Sequence, residues 1–276
     1  MANPNLYLMK TILITNQVEI ASYAQSSGVD IIMVDLEILG KRERQNNLDT
    51  FITDHKLSDL QVIRECLTES KMLVRINPIN KNSKKEIDSV IEHKPDYIML
   101  PMFSLPSEVD YFLKCVNGRS KTILLFETVG SVCNVEDILS INGLDLAYVG
   151  LNDLSLELKL DFLFELLSGG VVEYLSKKFK EHNINFGFGG ISRIDSGTLD
   201  PKLILSEHVR IGSQYVILSR SFHNNSKNLF ELKDKIDLKS EIKKIKDLYR
   251  QYSDSSSSSL EKNKFQLVSE VNRIIK

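Results

Sequence analysis

Eight short apolar runs recur along the chain, each five to eight residues long, with stretches of helical spacing between them. They are TILIT (11–15), DIIMVDLE (30–37), MLVRIN (72–77), DYIMLPM (96–102), TILLFE (122–127), LAYVG (146–150), INFGFGG (184–190) and QYVILSRS (214–221). The runs are nearly continuous rather than alternating, as parallel strands covered on both faces require. Helices are predicted at VEIASYAQSSG ending at Gly28, at SDLQVIRECLTES with Ser58 as N-cap and at SKKEIDSVIEH with Ser83 as N-cap. PSEVDYFLKCVNG places Pro106 in a first turn and Gly118 past the last, and VVEYLSKKFKEHN is a further helix. Strand–helix alternation on this scale predicts a (β/α)8 TIM barrel over residues 10–222. A doubly wound sheet is the competing architecture, but no GxGxxG turn follows the first strand and no Walker A sequence occurs.

Past residue 222 the pattern changes, and 223–276 reads as a C-terminal helical tail. NLFELKDKIDLKSEIKKIKDLYRQY has apolar positions at Ile236, Ile242, Ile245, Leu248 and Tyr252. SDSSSSS (253–259) is expected to be a flexible linker. LEKNKFQLVSEVNRIIK then offers Phe265, Val268, Val271 and Ile275 as the apolar face of a short helix. Such a stripe beyond a closed barrel needs a surface, either the helices' own barrel or a neighbouring subunit.

Composition narrows the function classes. A chain of 276 residues, 42% hydrophobic and 26% charged, suits one large domain with an appendage. A net charge of −2 and pI near 6.2 give no electrostatic reason to expect nucleic acid or an anionic membrane as partner. The opening MANPNLYLMKTILIT lacks the basic and apolar segments of a secretory signal, and no apolar run has the length of a membrane span. Cys66, Cys115 and Cys133 are odd in number and widely spaced, which fits a reducing compartment; the expectation is a cytoplasmic protein.

In a barrel of this kind, chemistry sits where strands end and βα loops begin. Those positions hold Asp35 and Glu37, Arg75 and Asn77, Glu127, Asn152 and Asp153, and Ser219 and Arg220. Glu127 stands directly behind an apolar run, where an unpaired charge is costly. Either it shares a divalent cation with Asp153 at the neighbouring strand end, or it pairs with Arg75 or Arg220. Arg75 is suited to an anionic substrate through its planar fork, or to pairing with Asp35 or Glu37. FGFGG either approaches a pocket mouth, where barrel loops seven and eight bind phosphate, or makes a tight turn. His55, His93, His182, His208 and His223 form no metal-spaced pair, and most of them are expected at the surface.

VDLE, VRINP, IMLPM, LLFET and VGLNDLS, in this order, resemble the HpcH/HpaI aldolase and citrate lyase β-subunit family over about residues 10–222. The resemblance implies a (β/α)8 barrel that binds Mg²⁺ or Mn²⁺ and makes or breaks a C–C bond beside a 2-oxo acid or acyl thioester. It further implies metal-binding carboxylates at Glu127 and Asp153, a substrate-binding arginine at Arg75, and at Gly150 the glycine of the loop nearing the keto acid. Such barrels associate as trimers or hexamers through C-terminal helices, so a homo-oligomer is expected. The chain departs from the pattern at Ile38, where the aldolases carry a histidine base, and at Leu125, where they carry a glutamine. The loop with Lys41, Arg42 and Arg44 resembles neither branch closely.

The expected activity is that of a divalent-metal-dependent carbon–carbon lyase, a class II-type aldolase. Its substrate would be a 2-oxo acid, such as a 4-hydroxy-2-oxo acid, cleaved through a metal-stabilised pyruvate enolate. Arg75 would stabilise the developing charge, Glu37 or Asp35 would accept the proton, and Gly150, Asn152 and Arg75 would contact the substrate. The alternatives are a citryl- or malyl-CoA lyase-like enzyme, or a barrel that binds a small anion without turnover.

Overall fold

The computed structural model describes residues 8–40, 55–222, 226 and 228–276. Eight parallel strands close into one barrel in sequence order: β1 Lys10–Ile14, β2 Ile31–Asp35, β3 Lys71–Arg75, β4 Tyr97–Leu100, β5 Lys121–Phe126, β6 Leu146–Val149, β7 Asn185–Ile191 and β8 Tyr215–Leu218. Each falls within or beside one of the eight apolar runs. The helices that return the chain are α1 Val18–Ser26, α2 Asp59–Cys66, α3 Ser83–Glu92, α4 Pro106–Val116, the short α5 Val129–Cys133 and α6 Val135–Leu139, α7 Leu151–Glu157, α8 Glu165–Ser168, α9 Val171–Glu181 and α10 Pro201–Ile211. The N-cap position of α3 is Asn82, one residue earlier than expected and without a side-chain cap bond, while Ser83 Oγ accepts the Asn80 N–H at 2.8 Å.

Alternation along the strands divides the core in two. Inward positions such as Ile31, Met33, Leu73, Met99, Ile123, Leu125, Leu146 and Tyr148 fill the barrel, while outward positions meet the helices. At the bottom of the barrel an aspartate precedes β2, β4 and β6, and each accepts a backbone N–H from the preceding strand. Asp30 takes Thr11, Asp96 takes Met72 and Asp145 takes Thr122, at 2.8–2.9 Å. The junction of β7 with β8 lacks this device and shifts register between Gly187 and Gly190. There the Tyr148 hydroxyl accepts the Ile217 N–H at 2.8 Å and donates to the Gly189 carbonyl at 2.6 Å. A Cβ on Gly187 would lie 2.6 Å from the Tyr148 ring, so this glycine of FGFGG makes room inside the barrel.

The tail forms α11 Leu229–Lys235, α12 Leu238–Ser253 and α13 Ser257–Ile274. Asp237 separates α11 from α12 and caps α12, its side chain accepting the Ser240 N–H. The serine run is not an extended linker. Ser256 is the N-cap of α13, accepting from Ser259, and Ser257–Ser259 make its first turn. Leu238, Ile242, Ile245 and Tyr249 form the buried stripe of α12, and Leu267 and Val271 that of α13. Phe265 and Ile275, expected on the apolar face, are exposed. Both helices dock on α10 of their own barrel, and the Tyr249 hydroxyl donates to the Ser213 carbonyl. α10 is thus covered on both sides, with Glu207 and His208 buried along with its apolar residues. No helix among the described residues is long and apolar enough to cross a membrane.

Candidate active site

The inward columns of the strands end in polar residues at one mouth. On β2 the column Ile31, Met33 continues to Asp35 and Glu37; on β3 Leu73 is followed by Arg75; on β5 Ile123 and Leu125 lead to Glu127. Parallel register sets Asp35 opposite Arg75, so these two side chains rise from the same side of adjacent strands. Arg75 Nε and one terminal nitrogen donate to the two Asp35 oxygens, both at 2.8 Å. Its other terminal nitrogen lies 3.4 Å from Glu37 Oε2. Burial opposes the guanidinium charge, but Asp35 and then Glu37 more than offset it and hold the arginine above its ordinary value. The fork expected to grip a substrate is therefore closed on Asp35, which leaves the edge facing Glu37 for an incoming anion. Asp35 also accepts the Glu37 N–H at 3.2 Å, so its geometry is that of a counter-ion to Arg75 rather than of a base.

Glu127 is buried and makes no ion pair among the described residues. The salt bridge to Arg75 or Arg220 that its position left open is not formed. Its hydrogen bond comes from the backbone N–H of Met102, at 3.1 Å. Burial first, and then the carboxylates of Asp153 and Glu37, push its pKa up to about 8 against the pull of Arg75. Asp153 stands in the first turn of α7, where the helix dipole favours an anion. Gly150 continues the ladder with its N–H on the Phe126 carbonyl at 3.0 Å and lies against Glu127. Asn152 is exposed at the rim.

No group of three metal-ligating side chains occurs among the described residues. Two carboxylates, one of them buried and held in no ion pair among the described residues, nevertheless match a hard divalent ion, which takes one or two protein carboxylates and fills its remaining positions with water or substrate oxygens.

Two residues at this mouth escaped the sequence reading. His55, one of a set mostly expected at the surface, is buried with Nδ1 accepting the Asp35 N–H at 2.9 Å. No local pattern in the sequence marks it. Met102 contributes through its backbone, which side-chain motifs do not register. His208 is likewise buried, and it stacks on Phe188 at 3.7 Å. Ile38, at the position of the aldolases' histidine, is exposed, with its N–H held by Asn77 Oδ1 at 2.9 Å. Lys41, Arg42, Arg44 and His223 lie outside the described residues.

A closed (β/α)8 barrel with acidic residues and a buried arginine at its strand ends has the layout of a barrel enzyme's active face. The chain belongs to the HpcH/HpaI aldolase/citrate lyase family, whose family model matches residues 12–162. No curated protein matches it in sequence. Among solved structures, the citrate synthase SbnG superposes with a TM-score of 0.62 at 16% identity, over 84% of this chain and 95% of that one. An HpcH/HpaI aldolase/citrate lyase family protein from Burkholderia cenocepacia J2315 gives 0.61 at 13% identity, over 84% and 96%. The HpcH/HpaI aldolase of Desulfitobacterium hafniense DCB-2 gives 0.60 at 12%, over 84% and 95%. At these identities the likeness is one of fold.

Proposed function

We propose that the protein is a divalent-metal-dependent carbon–carbon lyase acting on a 2-oxo acid, of which a 4-hydroxy-2-oxo acid is the model substrate. The observation that carries this reading is Glu127, buried, without an ion pair among the described residues, and crowded by Asp153 and Glu37. Glu127 and Asp153 would hold Mg²⁺ or Mn²⁺. The cation would supply Lewis-acid charge to the carboxylate and keto oxygens of the substrate. Arg75 offers the N–H groups on its Glu37 side to the oxygen that becomes negative as the bond breaks. Glu37 takes the proton of the 4-hydroxyl group, since Asp35 is committed to Arg75. The C3–C4 bond then breaks, C4 becomes the aldehyde carbonyl, and protonation at C3 completes pyruvate. The same steps in reverse form a C–C bond, the direction implied by the name of the citrate synthase SbnG.

The test is Mn²⁺ titration of wild type, Glu127→Gln and Asp153→Asn, followed by pyruvate release from 4-hydroxy-2-oxo acids and turnover of a CoA-ester panel. Tight binding lost in both variants, with pyruvate formed only when metal is present, is the expected result. Equal affinity in all three proteins would overturn the metal assignment. Turnover of CoA esters alone would move the substrate to the thioester class.

A further inference from the structure

Glu127 lies among the carboxylates of Asp153 and Glu37 with Arg75 also acting on it, and a side chain with three rotatable bonds would settle on the arginine side unless something held it. Two features of the backbone do so. Met102, two residues past β4, has φ +53°, a left-handed conformation that non-glycine residues seldom adopt. That turn aims its N–H at Glu127 Oε1, 3.1 Å away. On the other side, a Cβ at Gly150 would lie 2.7 Å from Glu127 Oε2 and 2.8 Å from its Cβ. The second distance cannot be relieved by rotating the carboxylate, so the whole side chain would have to move. Gly150 has φ −82°, which any residue adopts; the glycine is there for space and not for backbone freedom.

We propose that the left-handed Met102 peptide and the bare Cα of Gly150 form a socket that fixes the Glu127 carboxylate for cation binding. Met102 and Gly150 are then positioning residues, acting through Glu127. The inference rests on the metal reading above. One oxygen is tied to the Met102 N–H, and the other is kept beside Gly150. Strain retained at a single non-glycine residue beside a functional group is a common way to hold such a group in place.

The experiment is calorimetric Mn²⁺ titration of the full chain, with circular dichroism and the electron paramagnetic resonance spectrum of bound Mn²⁺ recorded alongside. The variants are Gly150→Ala, Met102→Val and Met102→Gly, with Glu127→Gln as reference. Valine is β-branched and rejects the left-handed region, whereas glycine accepts it and keeps the N–H. Both remove the methionine side chain, so their difference reports the backbone turn. Loss of one charge-assisted hydrogen bond predicts about tenfold weaker Mn²⁺ binding in Met102→Val. A similar loss is expected in Gly150→Ala, and Met102→Gly should bind as wild type does.

If Glu127→Gln abolishes binding while Gly150→Ala and Met102→Val bind as wild type, the socket is wrong and the metal reading stands. Met102→Gly as weak as Met102→Val would assign the effect to the side chain and overturn the backbone argument. Wild-type protein that binds no Mn²⁺, or binds it equally after Glu127→Gln, would overturn both. Should Gly150→Ala lose its circular dichroism, the Met102 pair decides.

Discussion

Arg75 illustrates how one side chain serves two ends. Its fork is spent on Asp35, and its remaining edge faces Glu37 and the mouth. Arg75→Lys keeps the charge but not the planar geometry, so kcat/KM should fall at least about tenfold, or about 1.4 kcal/mol, while Mn²⁺ affinity is nearly kept. Asp35→Asn leaves a largely buried guanidinium half-compensated, and urea denaturation should register a loss of about 3 kcal/mol. His208 gives a pH-dependent counterpart. Burial lowers its pKa to about 3, whereas an unfolded histidine titrates near 6.5. The unfolded state therefore binds one more proton between these values. The stability that neutral His208 permits is complete above pH 6.5 and declines toward pH 3, by up to about 1.4 kcal/mol per unit. Urea midpoints measured from pH 7 to 4 should flatten by one proton in His208→Gln. Asp35, Arg75 and Glu127 were legible in the sequence because a two-residue period ends each inward column on a polar residue. His55 and Met102 were not, since one depends on a long-range contact with the Asp35 backbone and the other on a single φ angle.

At the level of elements, the eight strands were readable because each buries both faces and so writes an unbroken apolar run. The tail was less readable. Serine disfavours helix interiors yet is among the best N-caps, so a serine run does not say on which side of it the helix begins. Here only Asp254, Ser255 and Ser256 lie between the helices, and Ser256→Ala should cost about 1 kcal/mol in thermal or urea denaturation. The apolar stripe of the last helix was read correctly at Val271 but not at Phe265 and Ile275, which are exposed while Leu267 is buried, because both of its faces carry large hydrophobics. The aspartates at the barrel floor left a clearer trace, each standing immediately before β2, β4 or β6. Asp96 also pairs with Arg64 at 2.8 Å and Lys71 at 3.1 Å. Its replacement by alanine should cost about 1.5–3 kcal/mol, the range for a hydrogen bond to a charged group.

The whole molecule joins a closed ring to a clasp of helices. Ending the chain near residue 228 would uncover α10 and remove the buried Leu238, Ile242, Ile245, Tyr249, Leu267 and Val271. At about 1.5 kcal/mol or more for each side chain, the loss approaches about 10 kcal/mol, comparable with the total stability of a domain. The truncated protein should lose its cooperative melting transition in circular dichroism. A soluble, fully folded barrel after truncation would show that the tail is an accessory. The ring itself is closed at β7–β8 partly by a phenol, since the Tyr148 hydroxyl completes bonds that the shifted ladder leaves open. Removing that hydroxyl, in Tyr148→Phe, strands a donor and an acceptor at the seam, and amide exchange there should quicken about tenfold or more while β2 to β5 stay protected. A closed barrel has no edge strands, but one that breathes at a seam briefly has two, each a template for another chain. Resistance of this enzyme to aggregation is then set by how often one tyrosine lets go.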